Sequence, residues 1–196
     1  MKILILFAFI LLVLAQWFVP GQMMIEKSKI LSGGRALKFR TEPVDPYDQF
    51  RGKYIYLKFK ESQVTRVNDT SNKSIDLNKD VYVSFKNDNE GFAKVDSFSN
   101  LPFPGKIPYV RANVYRESLD DSAKGTLEML NITFPFEKFY MEESKAGPAE
   151  VIYRQRNRDS TSKVYALVYL LDGRAAIKDV YVNDTSISTL VKLQQK

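Results

Sequence analysis

Histidine and cysteine are both absent from this 196-residue chain, and tryptophan occurs once. Without histidine there is no imidazole base near neutral pH. Ser-His-Asp and Cys-His centres and the common imidazole sites for zinc, copper and iron are excluded with it. Without cysteine there is no disulfide, no thiolate ligand and no lipobox thiol to acylate. Neither a phosphate-binding loop nor a dinucleotide fingerprint is present, and no internal repeat stands out. What remains is 44% hydrophobic and 27% charged residues, the balance of a folded domain rather than of a disordered chain.

The apolar residues are unevenly placed. Between Ile3 and Val19 only Gln16 is polar, and Trp17 stands near the end of the run, where an amphipathic ring favours a membrane interface. As a helix, residues 3–19 cover roughly 25 Å, the lower limit for a hydrocarbon core about 30 Å thick. Two readings are open. Residues 1–22 form a retained single-span anchor, or Lys2 and Val13-Leu14-Ala15 mark a signal peptide whose cleavage releases a soluble exported domain. Retention is expected, because the apolar run continues past Ala15 through Trp17-Phe18-Val19. With the N-terminus inside, the rest of the chain lies outside the cytoplasm.

The formal net charge of +6 favours anionic surfaces weakly and in a salt-dependent way. The densest basic cluster, Arg154 to Arg158, lacks interleaved aromatics. It reads as a solvated face and predicts no nucleic-acid partner.

After Pro20-Gly21, residues 23–34 read as a short juxtamembrane helix or linker that stops at Gly33-Gly34. Residues 35–196 then read as one β-rich domain. Strands are predicted at Ala36 to Arg40, Tyr54 to Phe59, Tyr109 to Tyr115 and Thr126 to Phe134. Hairpins are predicted for Val81 to Phe85 with Phe92 to Phe98, and for Val164 to Leu170 with Arg174 to Val182 across Asp172-Gly173. The polar stretch Gln63 to Lys79 reads as a loop, and one helix is expected between Phe136 and Arg156, divided at Gly147-Pro148. The fold class is therefore mainly β: an N-terminal transmembrane helix, then a compact, curled antiparallel sheet, barrel-like or sandwich, with one or two short helices.

Within Tyr54 to Phe59, the period of two sets Ile55, Leu57 and Phe59 on the core face and Tyr54, Tyr56 and Lys58 on the other. This segment, Gly52-Lys53-Tyr54-Ile55-Tyr56-Leu57-Lys58-Phe59, resembles the signature of the GDYXXLXY proteins, with Asp45-Pro46 and Phe50-Arg51 as its lead-in. Phe136 to Glu143 is similar to the aromatic segment of the same family, although Glu142 and Ser144 replace its usual Pro and Gly. Leu171 to Val180 resembles its closing hairpin. The resemblance implies a membrane-anchored bacterial protein without an assigned reaction, whose partner is a multi-spanning membrane protein. Lys53 stands where the motif has Asp. An ammonium neither accepts a proton nor binds a cation at neutral pH, so this exchange points away from catalysis.

Tests for chemistry along the chain agree with that direction. Asp76, Asn78 and Asp80 occupy the first, third and fifth positions of a calcium loop, but Val81 stands where the loop needs Gly and Asn87 where it needs Glu. No spacing selects a Ser-Lys pair, and Glu143 with Glu150 form a carboxylate pair without a readable separation. Asn68, Asn72, Asn131 and Asn183 begin sequons that mean something only in a glycosylating host. The chain is expected to use no cofactor and no metal and to act by binding rather than turnover, with Asp45, Arg51, Gly52, Tyr54, Tyr140 and Glu143 as binding residues. Arg51 and Glu143 are a possible ion pair. An envelope hydrolase with a carboxylate or Ser-Lys centre is the alternative.

Overall fold

The structure is a computed structural model that describes residues 2–43, 54–67, 75–117 and 127–194. It opens with one helix, α1 (Lys2–Gly33), that is long and apolar enough to cross a membrane. The anchor expected over residues 1–22 and the juxtamembrane segment expected over 23–34 run as one continuous helix, with Pro20 inside it. Proline removes one hydrogen bond from the ladder, whereas ending the helix there would strip several backbone groups of partners within an apolar sequence. From Leu6 to Ile25 the large apolar side chains of α1 stand exposed except for half-buried Val13, and among its described side chains the first buried apolar one is Ile30.

Strand β1 (Arg35–Glu42) follows at once and pairs antiparallel with β10 (Val164–Leu171). The first sheet runs in the order β12-β11-β10-β1-β3, where β3 is Lys58–Phe59, β11 is Arg174–Val182 and β12 is Thr185–Ser186. The second runs β4-β8-β7-β5-β6, comprising Gln63–Val67, Leu127–Thr133, Tyr109–Glu117, Val81–Asn87 and Ala93–Ser99. Single bridges at Lys38↔Phe92 and Val110↔Gly173 join the two sheets into a nearly closed barrel. Strands β2 (Tyr54–Tyr56) and β9 (Lys138–Tyr140) form a separate two-stranded ribbon. The barrel-like form of the expected fold is the one adopted, and among the described residues three α-helices accompany it.

Both predicted hairpins form. Asp172 and Gly173 carry φ values of 48° and 78°, the left-handed pair that a two-residue turn needs to match strand twist. Gly173 is also held close: a Cβ there would stand 3.1 Å from the Tyr109 ring. At the other hairpin Asp88 Oδ1 accepts the backbone N–H groups of Glu90 and Phe92, and Gly91 supplies φ of 81°.

Three expectations need correction. Gln63–Val67 is an edge strand, β4, paired along its length with β8; an edge strand gains its ladder bonds with few apolar residues. The helix expected from Phe136 begins later, as α2 (Glu143–Arg158), because Lys138–Tyr140 is drawn into the ribbon with β2. Gly147-Pro148 does not divide α2, whose buried residues Ala146, Ala149, Ile152 and Tyr153 keep one stripe on the core. A third helix, α3 (Ile187–Gln194), packs beside α2 and buries Ile187 and Val191.

The barrel is filled by rings. Phe39 has no exposed surface and lies 5.0 Å from Phe85, 5.1 Å from Phe136, 5.8 Å from Phe59 and 6.2 Å from Phe134, all edge-on. Phe134 and Phe136 stack at 5.0 Å. Such offset and edge contacts suit the ring quadrupole and fix side-chain positions more tightly than aliphatic packing does.

Candidate functional site

Two of the segments singled out in the sequence meet in space. In the β2–β9 ribbon Tyr54 is opposite Tyr140, Ile55 opposite Phe139 and Tyr56 opposite Lys138. The pleat turns Ile55 and Phe139 into the core and leaves the other four side chains on the outer face. The predicted parity holds: Ile55, Leu57 and Phe59 are each about 1% exposed or less. On the outer face the Tyr54 and Tyr140 rings lie 5.3 Å apart, and the Lys138 ammonium lies 5.3 Å from the Tyr54 ring centre. These distances are within range of aromatic pairing and cation–π attraction.

The ladder is held from below by Glu137. Its carboxylate accepts the Tyr56 hydroxyl at 2.9 Å and the Phe134 N–H at 3.0 Å, while its backbone carbonyl accepts the Leu57 N–H at 2.8 Å. Three residues beyond Tyr140, Glu143 opens α2 on an exposed turn, where the helix dipole favours its negative charge. Its neighbour Glu142 is the N-cap residue, and the Lys145 ammonium beside it holds that carboxyl below the usual range, aided by the Ser144 hydroxyl. Of the six residues expected to bind, the structure therefore brings Tyr54 and Tyr140 into contact and sets Glu143 one short step away. Asp45, Arg51 and Gly52 lie outside the described residues, and so do Lys53 and the Arg51–Glu143 ion pair.

Beside the ladder opens a cavity of about 840 Å³, within the range of ligand pockets. One wall is the last part of α1, with Met23, Met24, Glu26, Lys27 and Ile30. The opposite walls come from Arg111, Ala112 and Asn113 on β7, Thr133 at the end of β8 and Phe134 to Phe136 after it, Lys138 to Tyr140 on β9, and Gly173 to Ile177 on the closing hairpin. Its floor is buried and apolar, made by Ala112, Phe134, Phe136, Phe139, Ala176 and Ile177. The mouth is charged. Arg174 donates to Glu26 at 2.7 Å, clamping α1 to the hairpin, and Arg111 pairs with Asp80 at 2.8 Å. The backbone N–H of Arg111 donates to the Gly173 carbonyl at 2.9 Å, which fixes the strand edge beneath its side chain.

Residue-by-residue reading did not anticipate this cavity. The available signal is size: Ala112, Ala175 and Ala176 sit in strands whose other apolar residues are Val, Ile and Tyr, and small side chains on facing strands leave room. Elsewhere the structure closes options. The Asp76 carboxylate is occupied by the Asn78 N–H and the Lys79 ammonium, and Asn131 is a buried residue inside β8 where a glycan has no room. Among the described residues no group of three or more carboxylate side chains is placed to hold a metal ion.

No curated protein and no solved structure matches the chain. A family model does: the GDYXXLXY protein model matches residues 16–180, from the second half of α1 to the closing hairpin, and so spans the ribbon, the cavity and the ring-filled barrel together. The chain belongs to the GDYXXLXY protein family.

Proposed function

We infer that this protein is a membrane-anchored, extracytoplasmic binding module that engages a multi-spanning membrane protein rather than turning over a substrate. The observation that carries the reading is the outer face of the ribbon. Tyr140 is 62% exposed and Tyr56 37%; both are fixed in register by backbone pairing, and Tyr56 also by its hydroxyl bond to Glu137. Rigid tyrosines beside a cation are typical of contact surfaces, because they offer large area at little cost in side-chain entropy. The long exposed apolar stretch of α1 supports a membrane anchor, and the basic N-terminus before it favours the outer side for the domain. Confinement to one bilayer raises the effective concentration of two weakly binding partners without any new contact.

The test is photo-crosslinking in living cells from position 54, 56 or 140, with carbonate-washed membranes scored in parallel. The reading expects the protein in the membrane pellet and a discrete adduct with an integral membrane protein. Release into the supernatant removes the anchor, and absence of any adduct from all three positions removes the partner. Saturable turnover of an envelope substrate that vanishes in Glu143→Gln would replace binding with catalysis.

A further inference from the structure

The cavity between α1 and the hairpin separates its chemistry by depth. Its floor residues Ala112, Phe134, Phe139 and Ala176 are 2–8% exposed, whereas the Arg111 and Arg174 side chains at the mouth are 63% and 65% exposed. Lys27 and Lys138 add two more cations to the lining, against the carboxylates of Glu26 and Asp80 that pair with Arg174 and Arg111. An apolar slot with a cationic mouth complements an amphiphile, with a chain below and an anion above. The wall that completes the slot belongs to the same helix whose preceding turns are the exposed apolar rod. The opening therefore lies where a membrane anchor leaves the bilayer.

We propose that this cavity binds the acyl chain of an anionic phospholipid taken from the bilayer that α1 enters, with the lipid phosphate held at the mouth by Lys27 and Arg174. The proposal rests on the anchored reading above but not on a protein partner. An acyl chain gains little by exchanging lipid for an equally apolar slot, so the cations set the selectivity. Arg174 is held by Glu26, and a phosphate competes with that carboxylate for the guanidinium fork. The exposed pair Asn113 and Thr133, opposite each other across β7 and β8, lines the wall with groups able to reach ester and glycerol oxygens. A peptide is a poorer fit, because the strands forming the floor spend their backbone donors on their own ladders.

The methionines provide the readout. Met23 and Met24 line the cavity, and Met129, on β8, does not. The full chain is labelled with methyl-13C methionine, placed in phosphatidylcholine nanodiscs and titrated with palmitoyl-lysophosphatidylglycerol. Expected are saturable shifts at Met23 and Met24 with one equivalent, an unmoved Met129, and binding roughly tenfold or more tighter than palmitoyl-lysophosphatidylcholine. Ala112→Trp, which fills the floor, abolishes the shifts. Should that variant fail to fold, Lys27→Glu on the exposed helix face leaves the domain intact and removes most of the headgroup preference. Equal, unsaturable shifts with both lipids overturn the proposal, as does insensitivity to both substitutions. The same shifts from inorganic phosphate alone also overturn it, by assigning the mouth to a free anion. Crosslinks from position 54 are scored separately, so loss of the lipid site and loss of the partner are distinguishable.

Discussion

Replacing Gly34 by alanine tests how the helix is mounted on the barrel. Gly34 is the single residue between α1 and β1, and its N–H donates to the Ile30 carbonyl at 2.9 Å. A Cβ on Gly34 would stand 2.5 Å from the Ile30 carbonyl oxygen and 3.0 Å from that of Leu170. Both obstacles are backbone, in the helix on one side and in β10 on the other, so neither can turn away as a side chain would. Relief requires α1 to shift against the hairpin, which opens the wall made by Ile30 and the Glu26–Arg174 clamp. Overpacking of this kind costs about 1–3 kcal/mol, or roughly 2–12 °C in Tm for a chain of this size. Gly33 is the control. A Cβ there meets only the Leu171 Cδ2 at 4.0 Å, so Gly33→Ala is neutral or gains up to about 1 kcal/mol of helix propensity. Thermal melting of the full chain in mild detergent, followed by circular dichroism, measures both. Equal Tm values for Gly34→Ala and the parent, or a larger loss at Gly33 than at Gly34, would refute the steric account.

Phe39→Ala removes the ring that touches four others and should cost about 3–5 kcal/mol in urea unfolding; a loss below about 1 kcal/mol would mean that the ring cluster is not the centre of the core. The Tyr153 hydroxyl is buried without a hydrogen-bond partner among the described residues, and burial pushes its pKa well above the usual tyrosine range. Tyr153→Phe should therefore leave Tm unchanged or raise it, because an unsatisfied buried hydroxyl costs about 1–3 kcal/mol; a clear drop would reveal a bond to Thr41 or Asn157. Asp88 is held below its ordinary pKa of 3.8, first by the Phe92 N–H and also by the Glu90 N–H and Arg40. Its folded pKa lies below its unfolded one, so its contribution is complete above the unfolded value and is lost as pH falls from there through the folded value. Asp88→Asn should lower Tm near neutrality and flatten the acid limb of a Tm-versus-pH curve; an unchanged limb would assign it to Asp76, Glu142 or Asp159.

Local signals carried much of the fold. The closing hairpin was readable because Asp172-Gly173 suits the left-handed backbone it adopts and because Val164 to Leu170 is rich in β-formers. The signature's two faces were readable because a period of two survives even in a strand as short as Tyr54–Tyr56. Strand β4 was hidden by its composition: Gln63, Thr65 and Arg66 look like loop residues, and the pairing with β8 that orders them is remote in sequence. Helix α3 carried a usable cue in Ile187, Leu190 and Val191, but eight residues make a marginal helix until α2 and β11 pack against it. The meeting of Tyr54 with Tyr140 followed from no local rule. It depends on β9 crossing to β2 over more than eighty residues, and the cavity depends in turn on where that ribbon ends against α1.

A helix of 32 residues rises about 48 Å, well beyond a hydrocarbon core near 30 Å thick. Its final turns reach Ile30, the Glu26–Arg174 clamp and the tight Gly34 junction without a loop. The barrel is thus carried on a stiff mast rather than on a string. In a bilayer, its azimuth and inclination follow from how the mast leans, and Pro20, which lacks one ladder bond, is where the apolar portion and the barrel end can bend apart.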